Sequence, residues 1–134
     1  MTALARGAGD HGAETTISGT IPIYAKWTED IYFYDPSDGS AMTLTGLTFH
    51  FQFRSDPDQT SADVTLSTSG SSPALSLVAD GGGVTSILRI SAAAGTFTNY
   101  EGDMIADLVA VDQSDNETLY GHGIVRFTNN PVSV

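Results

Sequence analysis

Leu47-Thr48-Phe49-His50-Phe51-Gln52-Phe53-Arg54 is the stretch that decides the fold. Leu47, Phe49, Phe51 and Phe53 alternate strictly with Thr48, His50, Gln52 and Arg54. In an extended chain successive side chains point to opposite faces, so this period of two gives one apolar and one polar face. That is the pattern of a half-buried antiparallel strand, with its phenylalanines on a core and its polar residues toward water.

Working back toward the N-terminus, residues 35–40 (DPSDGS) read as a turn, in which Pro36 fixes φ, the aspartates cap their own backbone and Gly39 supplies positive φ. Before it, Asp30-Ile31-Tyr32-Phe33-Tyr34 predicts a strand beginning near Asp30, with Ile31 and Phe33 on one face and the two tyrosines on the other. Residues 16–24 (TISGTIPIY) are β-prone, but Pro22 cannot donate to a ladder, which confines this piece to an edge or a strand's end. Residues 1–14 (MTALARGAGDHGAE) are rich in Ala and Gly without periodicity, the composition of a flexible N-terminal arm, and the folded domain is expected to span 15–134.

Toward the C-terminus, turn residues 56–61 precede Val64 and Leu66, and a Ser/Gly loop over 67–73 precedes Leu75 and Leu77. Residues 80–83 (DGGG) form a hairpin-like connector to Ile87-Leu88-Arg89-Ile90. Ala92-Ala93-Ala94-Gly95 suits a single helical turn. Met104 to Val111 is apolar on both sides apart from Asp107, which predicts a central strand, and a polar hairpin over 112–117 leads to a last strand from Tyr120 to Phe127. About eight strands with regular turn signals predict one all-β domain, an antiparallel β-sandwich of immunoglobulin-like or jelly-roll-like kind, or a small barrel.

Bulk properties narrow the function. A chain of 134 residues can bury a self-sufficient core in one domain. Its formal charge is −11, and its five basic residues, Arg6, Lys26, Arg54, Arg89 and Arg126, are scattered. Such a surface repels phosphate backbones, so no nucleic-acid partner is expected. With no cysteine, disulfides, Cys-based zinc sites and thiol chemistry are excluded. No apolar run suits a signal peptide or a membrane helix, so synthesis in the cytosol and no membrane partner are expected.

The residues that could carry chemistry are few. Of His11, His50 and His122, the first lies in the arm and the second on the polar face of a regular strand; His122, between Gly121 and Gly123, has an unusual setting that suits packing at a bulge or a chemical role. No Gly-x-Ser-x-Gly elbow occurs, and no catalytic set is assigned. The acidic loops over 35–38, 56–58 and 112–117, with Glu101 and Asp103, offer oxygens for calcium, but none has the spacing of an EF-hand and turn-forming, solubilising aspartates account for them better, so no cofactor is expected. Asn116-Glu117-Thr118 fits the glycosylation sequon, which matters only on a secretory route. Tyr24, Trp27, Tyr32 and Tyr34 cluster within a short span and are the candidate interface or ligand contacts, with Trp27 open to the alternative of a core tryptophan.

The segments Ile31-Tyr32-Phe33, Asp38-Gly39-Ser40 and Leu44-Thr45-Gly46-Leu47-Thr48-Phe49-His50-Phe51-Gln52-Phe53-Arg54, followed by Tyr100-Glu101-Gly102-Asp103, Ala106-Asp107-Leu108 and the strand from Gly121 to Phe127, resemble the small β-sandwich modules of tailed-bacteriophage virions, especially the N-terminal domain of baseplate upper proteins and related tail accessory proteins. The resemblance covers most of residues 28–128. It implies a non-enzymatic structural virion protein of the tail tip or baseplate, assembled in symmetric copies with other virion proteins and holding or presenting receptor-binding parts. Alternatives are a capsid decoration or head-fibre protein, a carbohydrate-binding module contacting a host-surface glycan through Tyr24, Trp27, Tyr32 and Tyr34, and a small hydrolase around His122.

Overall fold

The computed structural model describes residues 15–35, 37–71 and 73–128; the expected arm over 1–14, with His11, lies outside them. Eight strands follow in order: β1 (Thr15–Pro22), β2 (Trp27–Tyr32), β3 (Thr48–Arg54), β4 (Val64–Ser67), β5 (Leu75–Ala79), β6 (Thr85–Ala92), β7 (Gly102–Val111) and β8 (Glu117–Thr128). They form two open sheets, a five-stranded one in the order β1-β8-β7-β3-β4 and a three-stranded one in the order β2-β6-β5. The domain is therefore a β-sandwich, and this division of strands is the immunoglobulin-like one of the two arrangements expected from the sequence.

The phenylalanine strand behaves as its alternation dictates. Phe49, Phe51 and Phe53 are fully buried, while Thr48, His50, Gln52 and Arg54 remain partly exposed on the outer side. The strand next to it, β7, lies at the centre of the five-stranded sheet and turns Met104, Ala106, Leu108 and Ala110 inward. Phe49 stands opposite Ala110 and Phe53 opposite Ala106. These two rings are thus matched by small neighbours on β7, which leaves room for aromatic residues arriving from elsewhere. Phe97 fills part of that room: it stacks on Phe127 with ring centroids 4.8 Å apart and meets the edge of Phe53 at 5.8 Å.

Strand β2 begins at Trp27 rather than near Asp30, and this decides where the tryptophan goes. Trp27 and Ile31 share the inward face, and the indole packs 6.1 Å from both Phe51 and Phe97, joining the small sheet to the large one. Phe33 continues the same face, against Phe49 and Tyr120. No helical turn forms at 92–95: Ala92 ends β6, and a succession of turns follows, closed by amide bonds from Thr96 to Ala93, Thr98 to Gly95 and Tyr100 to Phe97, which carries Phe97 into the core.

One strand departs from the antiparallel expectation. β1 is an edge strand, as Pro22 requires, but it pairs with β8 in parallel, with Ile17 beside Gly123 and Ile21 beside Phe127. Ile17, Ile21 and Ile23 are buried by this pairing. Gly123 is what permits it: a Cβ at this position would lie 1.8 Å from the Ile17 carbonyl oxygen. The glycine beside His122 is therefore a packing requirement.

The acidic turns are tied to their own backbone. Asp35 accepts from the Ser37 amide and hydroxyl, Asp38 from those of Ser40, Asp56 from the Asp58 amide, and Asp112 from the amides of Ser114 and Asn116. At the β5–β6 hairpin Asp80 accepts from the amides of Gly82 and Val84 and from the hydroxyl of Ser86, a buried polar side chain. Each carboxylate supplies an acceptor to amide or hydroxyl donors that the tight turn leaves without a ladder partner.

Candidate functional site

The two sheets each turn one face inward, so the functional surface lies on the two outer faces and the connecting loops. On the outer face of the five-stranded sheet the register of β3, β7 and β8 brings together three ionisable residues far apart in sequence. Asp107 stands opposite Gln52 on one side and His122 on the other. Its carboxylate accepts from Arg54 Nη2 at 2.7 Å and meets His122 Nδ1 at 2.5 Å. The Asp107 side chain is only 14% exposed, whereas that of His122 is 52% exposed. Arg54 also donates through Nη1 to the Gln59 carbonyl, 3.4 Å away.

This arrangement fixes the orientation of His122 and leaves Nε2 as the ring nitrogen not engaged by Asp107. An Asp–His pair of this kind supplies the orienting group and base of an acyl-transfer site, which also needs a hydroxyl or thiol nucleophile on the second ring nitrogen. Among the described residues no Ser or Thr hydroxyl hydrogen-bonds His122. His50, on the same face, stands opposite Val109 and Ser67.

The same face carries exposed aliphatic side chains. Ile124, opposite Ile105, is 61% exposed, and Leu119, opposite Val109, is also exposed. Further along the strands Arg126 donates through Nε to Asp103 at 3.0 Å, and this bond holds the guanidinium pKa above its ordinary value. Along the face Ile105 and Ile124 lie between two cation–carboxylate pairs, Arg126–Asp103 and Arg54–Asp107, while Val109 and Leu119 lie beyond Asp107 and His122.

On the outer face of the small sheet Arg89 grips Asp30 through two bonds, Nε to Oδ1 at 2.9 Å and Nη2 to Oδ2 at 3.1 Å. The paired guanidinium holds the Asp30 carboxyl below the usual carboxylate range. Thr28, Glu29, Asp30 and Arg89 line a shallow open depression of about 440 Å³. Burial pushes the Glu29 carboxyl up, opposed by a hydrogen bond from Trp27.

The four aromatic residues singled out from sequence separate accordingly. Tyr32 and Tyr34 lie two residues apart, both exposed, beyond the Asp30–Arg89 pair. Tyr24 is 59% exposed in the connection preceding β2, at the opposite end of that strand from Tyr32. Trp27 is 5% exposed and belongs to the core. Among the described residues no group of three or more His, Asp or Glu side chains is placed to hold a metal ion. Sequence reading did not single out Asp107, Arg54, Leu119 or Ile124 as surface-site residues. The available signal was Ile124, an aliphatic residue at the same strand parity as His122 and Arg126.

Comparison with known proteins finds no family model that matches the chain and no curated protein similar to it in sequence.

Proposed function

We propose that this chain is a non-enzymatic structural protein of a tailed-phage virion, a component of the tail tip or baseplate that works by docking onto other virion subunits. The observation that carries the reading is the outer face of the five-stranded sheet, where Ile124 stands exposed between two charge pairs and Leu119 stands exposed beyond the second of them. Exposed aliphatic side chains interleaved with hydrogen-bonded charge pairs suit a protein–protein contact. The resemblance of residues 28–128 to virion sandwich modules supplies the class of particle.

The test is quantitative mass spectrometry of separated tail and head fractions from particles of a phage that encodes the chain. Fixed stoichiometry in tails is the expected result. Enrichment in tail-less heads would replace the tail-tip assignment with capsid decoration, and absence from both fractions would overturn the virion reading. A glycan-binding module is the second reading, favoured by Tyr32 and Tyr34 beside the Asp30–Arg89 pair. Because Trp27 is in the core, that reading predicts glycan-array binding that is lost on Tyr32→Ala.

A further inference from the structure

We infer that the partner seated on the outer face of β7 and β8 is a second copy of this chain. The inference deepens the assembly reading above and rests on it.

Charge selects the partner. Arg54, Asp107, Asp103 and Arg126 are paired within this face and sum to zero, and Glu117 marks its margin. Apart from Glu117, this face therefore contributes nothing to the net charge of −11. Two copies approaching through their acidic loops bring like charges together, whereas here they meet with little net repulsion. An isologous contact places the same patch on both sides, so a face carrying both signs can match itself after a two-fold rotation. A strongly basic partner, by contrast, would find its complement on the acidic loops.

The size is sufficient. Five strands at a spacing of about 4.8 Å, over about seven residues at roughly 3.4 Å each, present about 550 Å² in projection, and side-chain relief raises the accessible area toward the ~800 Å² per partner of a standard interface. The flanking strands add no charge to the face: Ser18 and Thr20 of β1 and Thr65 and Ser67 of β4 occupy their outer register positions. Face-to-face packing of two sheets is the mode that buries such a surface.

The experiment is sedimentation velocity on the full chain over a wide concentration range reaching millimolar, with near-UV circular dichroism as the check on fold. Ile124→Asp and Leu119→Asp are compared with wild type and with Tyr32→Asp, which changes the opposite outer face. Wild type and Tyr32→Asp should self-associate alike. Each aspartate on the β8 face should weaken association by at least about 30-fold, since a two-fold contact buries the unpaired carboxylate twice. If Ile124→Asp loses its near-UV signal, Ile124→Ser replaces it, with a smaller loss expected in the same direction. A strictly monomeric wild type, association that survives both β8 substitutions, or equal loss in Tyr32→Asp would overturn the inference. These outcomes are separable from failure of the virion reading, which shows as absence of the wild-type chain from particle fractions whatever its state in solution.

Discussion

Gly123→Ala adds one methyl group, and the structure predicts that it is among the most damaging single changes available on β8. The new Cβ would lie 1.8 Å from the Ile17 carbonyl oxygen, 2.8 Å from its carbon and 2.9 Å from its nitrogen. All three atoms are backbone, so no rotamer change relieves the contact. Restoring an ordinary separation of about 3.4 Å requires β1 and β8 to part by roughly 1.5 Å, beyond what their ladder hydrogen bonds tolerate. Overpacking in a well-filled core costs about 1 to 3 kcal/mol, and with a ladder broken as well the expected loss is at least about 3 kcal/mol. For a chain of this size that is a fall in Tm of about 10 °C. Two other glycines calibrate the measurement. A Cβ at Gly81 meets nothing within 4 Å and its φ is unexceptional, so Gly81→Ala should be neutral or slightly stabilising. A Cβ at Gly39 is equally unobstructed but φ is 74°, so Gly39→Ala should cost about 1 kcal/mol from backbone strain alone. The assay is thermal and urea unfolding of the three variants side by side. If Gly123→Ala melts within about 2 °C of wild type, β1 is not seated on β8 as described and the argument fails.

Acid unfolding should run through the turn aspartates. Amide and hydroxyl donors from Val84, Ser86 and Gly82 hold the Asp80 carboxyl below its usual range, and the Asn116 and Ser114 amides do the same for Asp112. A carboxyl depressed in the folded state contributes stability that is complete above its unfolded pKa of about 3.9 and is lost as pH falls through the lower folded value. Asp80→Asn should therefore flatten the acid limb of the Tm–pH curve, and parallel limbs for variant and wild type would contradict this. Glu29 has the opposite sign: burial raises its carboxyl, so stability falls as pH rises through the interval above its ordinary value, and Glu29→Gln should melt higher than wild type at neutral pH. Trp27 provides an internal reporter, since its burial against Phe51 and Phe97 predicts native fluorescence shielded from iodide until the chain unfolds. Trp27→Ala should cost about 3 to 5 kcal/mol, whereas the exposed Tyr24→Ala should stay within about 0.5 kcal/mol; native fluorescence quenched as readily as unfolded would refute the core assignment.

Much of the sandwich was legible because its central strands announce themselves locally. The phenylalanine alternation of β3 and the two-sided apolarity of β7 gave both strands the right character, and Pro22 correctly marked β1 as an edge. The start of β2 was hidden because Thr28, Glu29 and Asp30 interrupt the apolar signal between Trp27 and Ile31 on an edge strand that is half in solvent. The parallel pairing of β1 left no local mark at all, since it depends on Gly123 near the other end of the chain. The candidate site divides in the same way. Tyr32 and Tyr34 could be placed outward from period two alone, but Arg54, Asp107 and His122 meet only through the register of three strands, which no single stretch of sequence encodes.

The pairing of the first described strand with the last has a consequence for the growing chain. Strands β2 to β7 all have ladder partners within their own span, but β1, synthesised before all of them, finds its ladder partner among the described residues only in β8. Until nearly the whole domain has emerged, Ile17, Ile21 and Ile23 have no ladder to seat them, and closing the pair is the contact of longest sequence separation in the sheet, the kind that slows folding. Gly19 and Pro22 then acquire a second use: a waiting strand interrupted by a glycine and ended by a proline is a poor template for the wrong neighbour, and stays available for the right one.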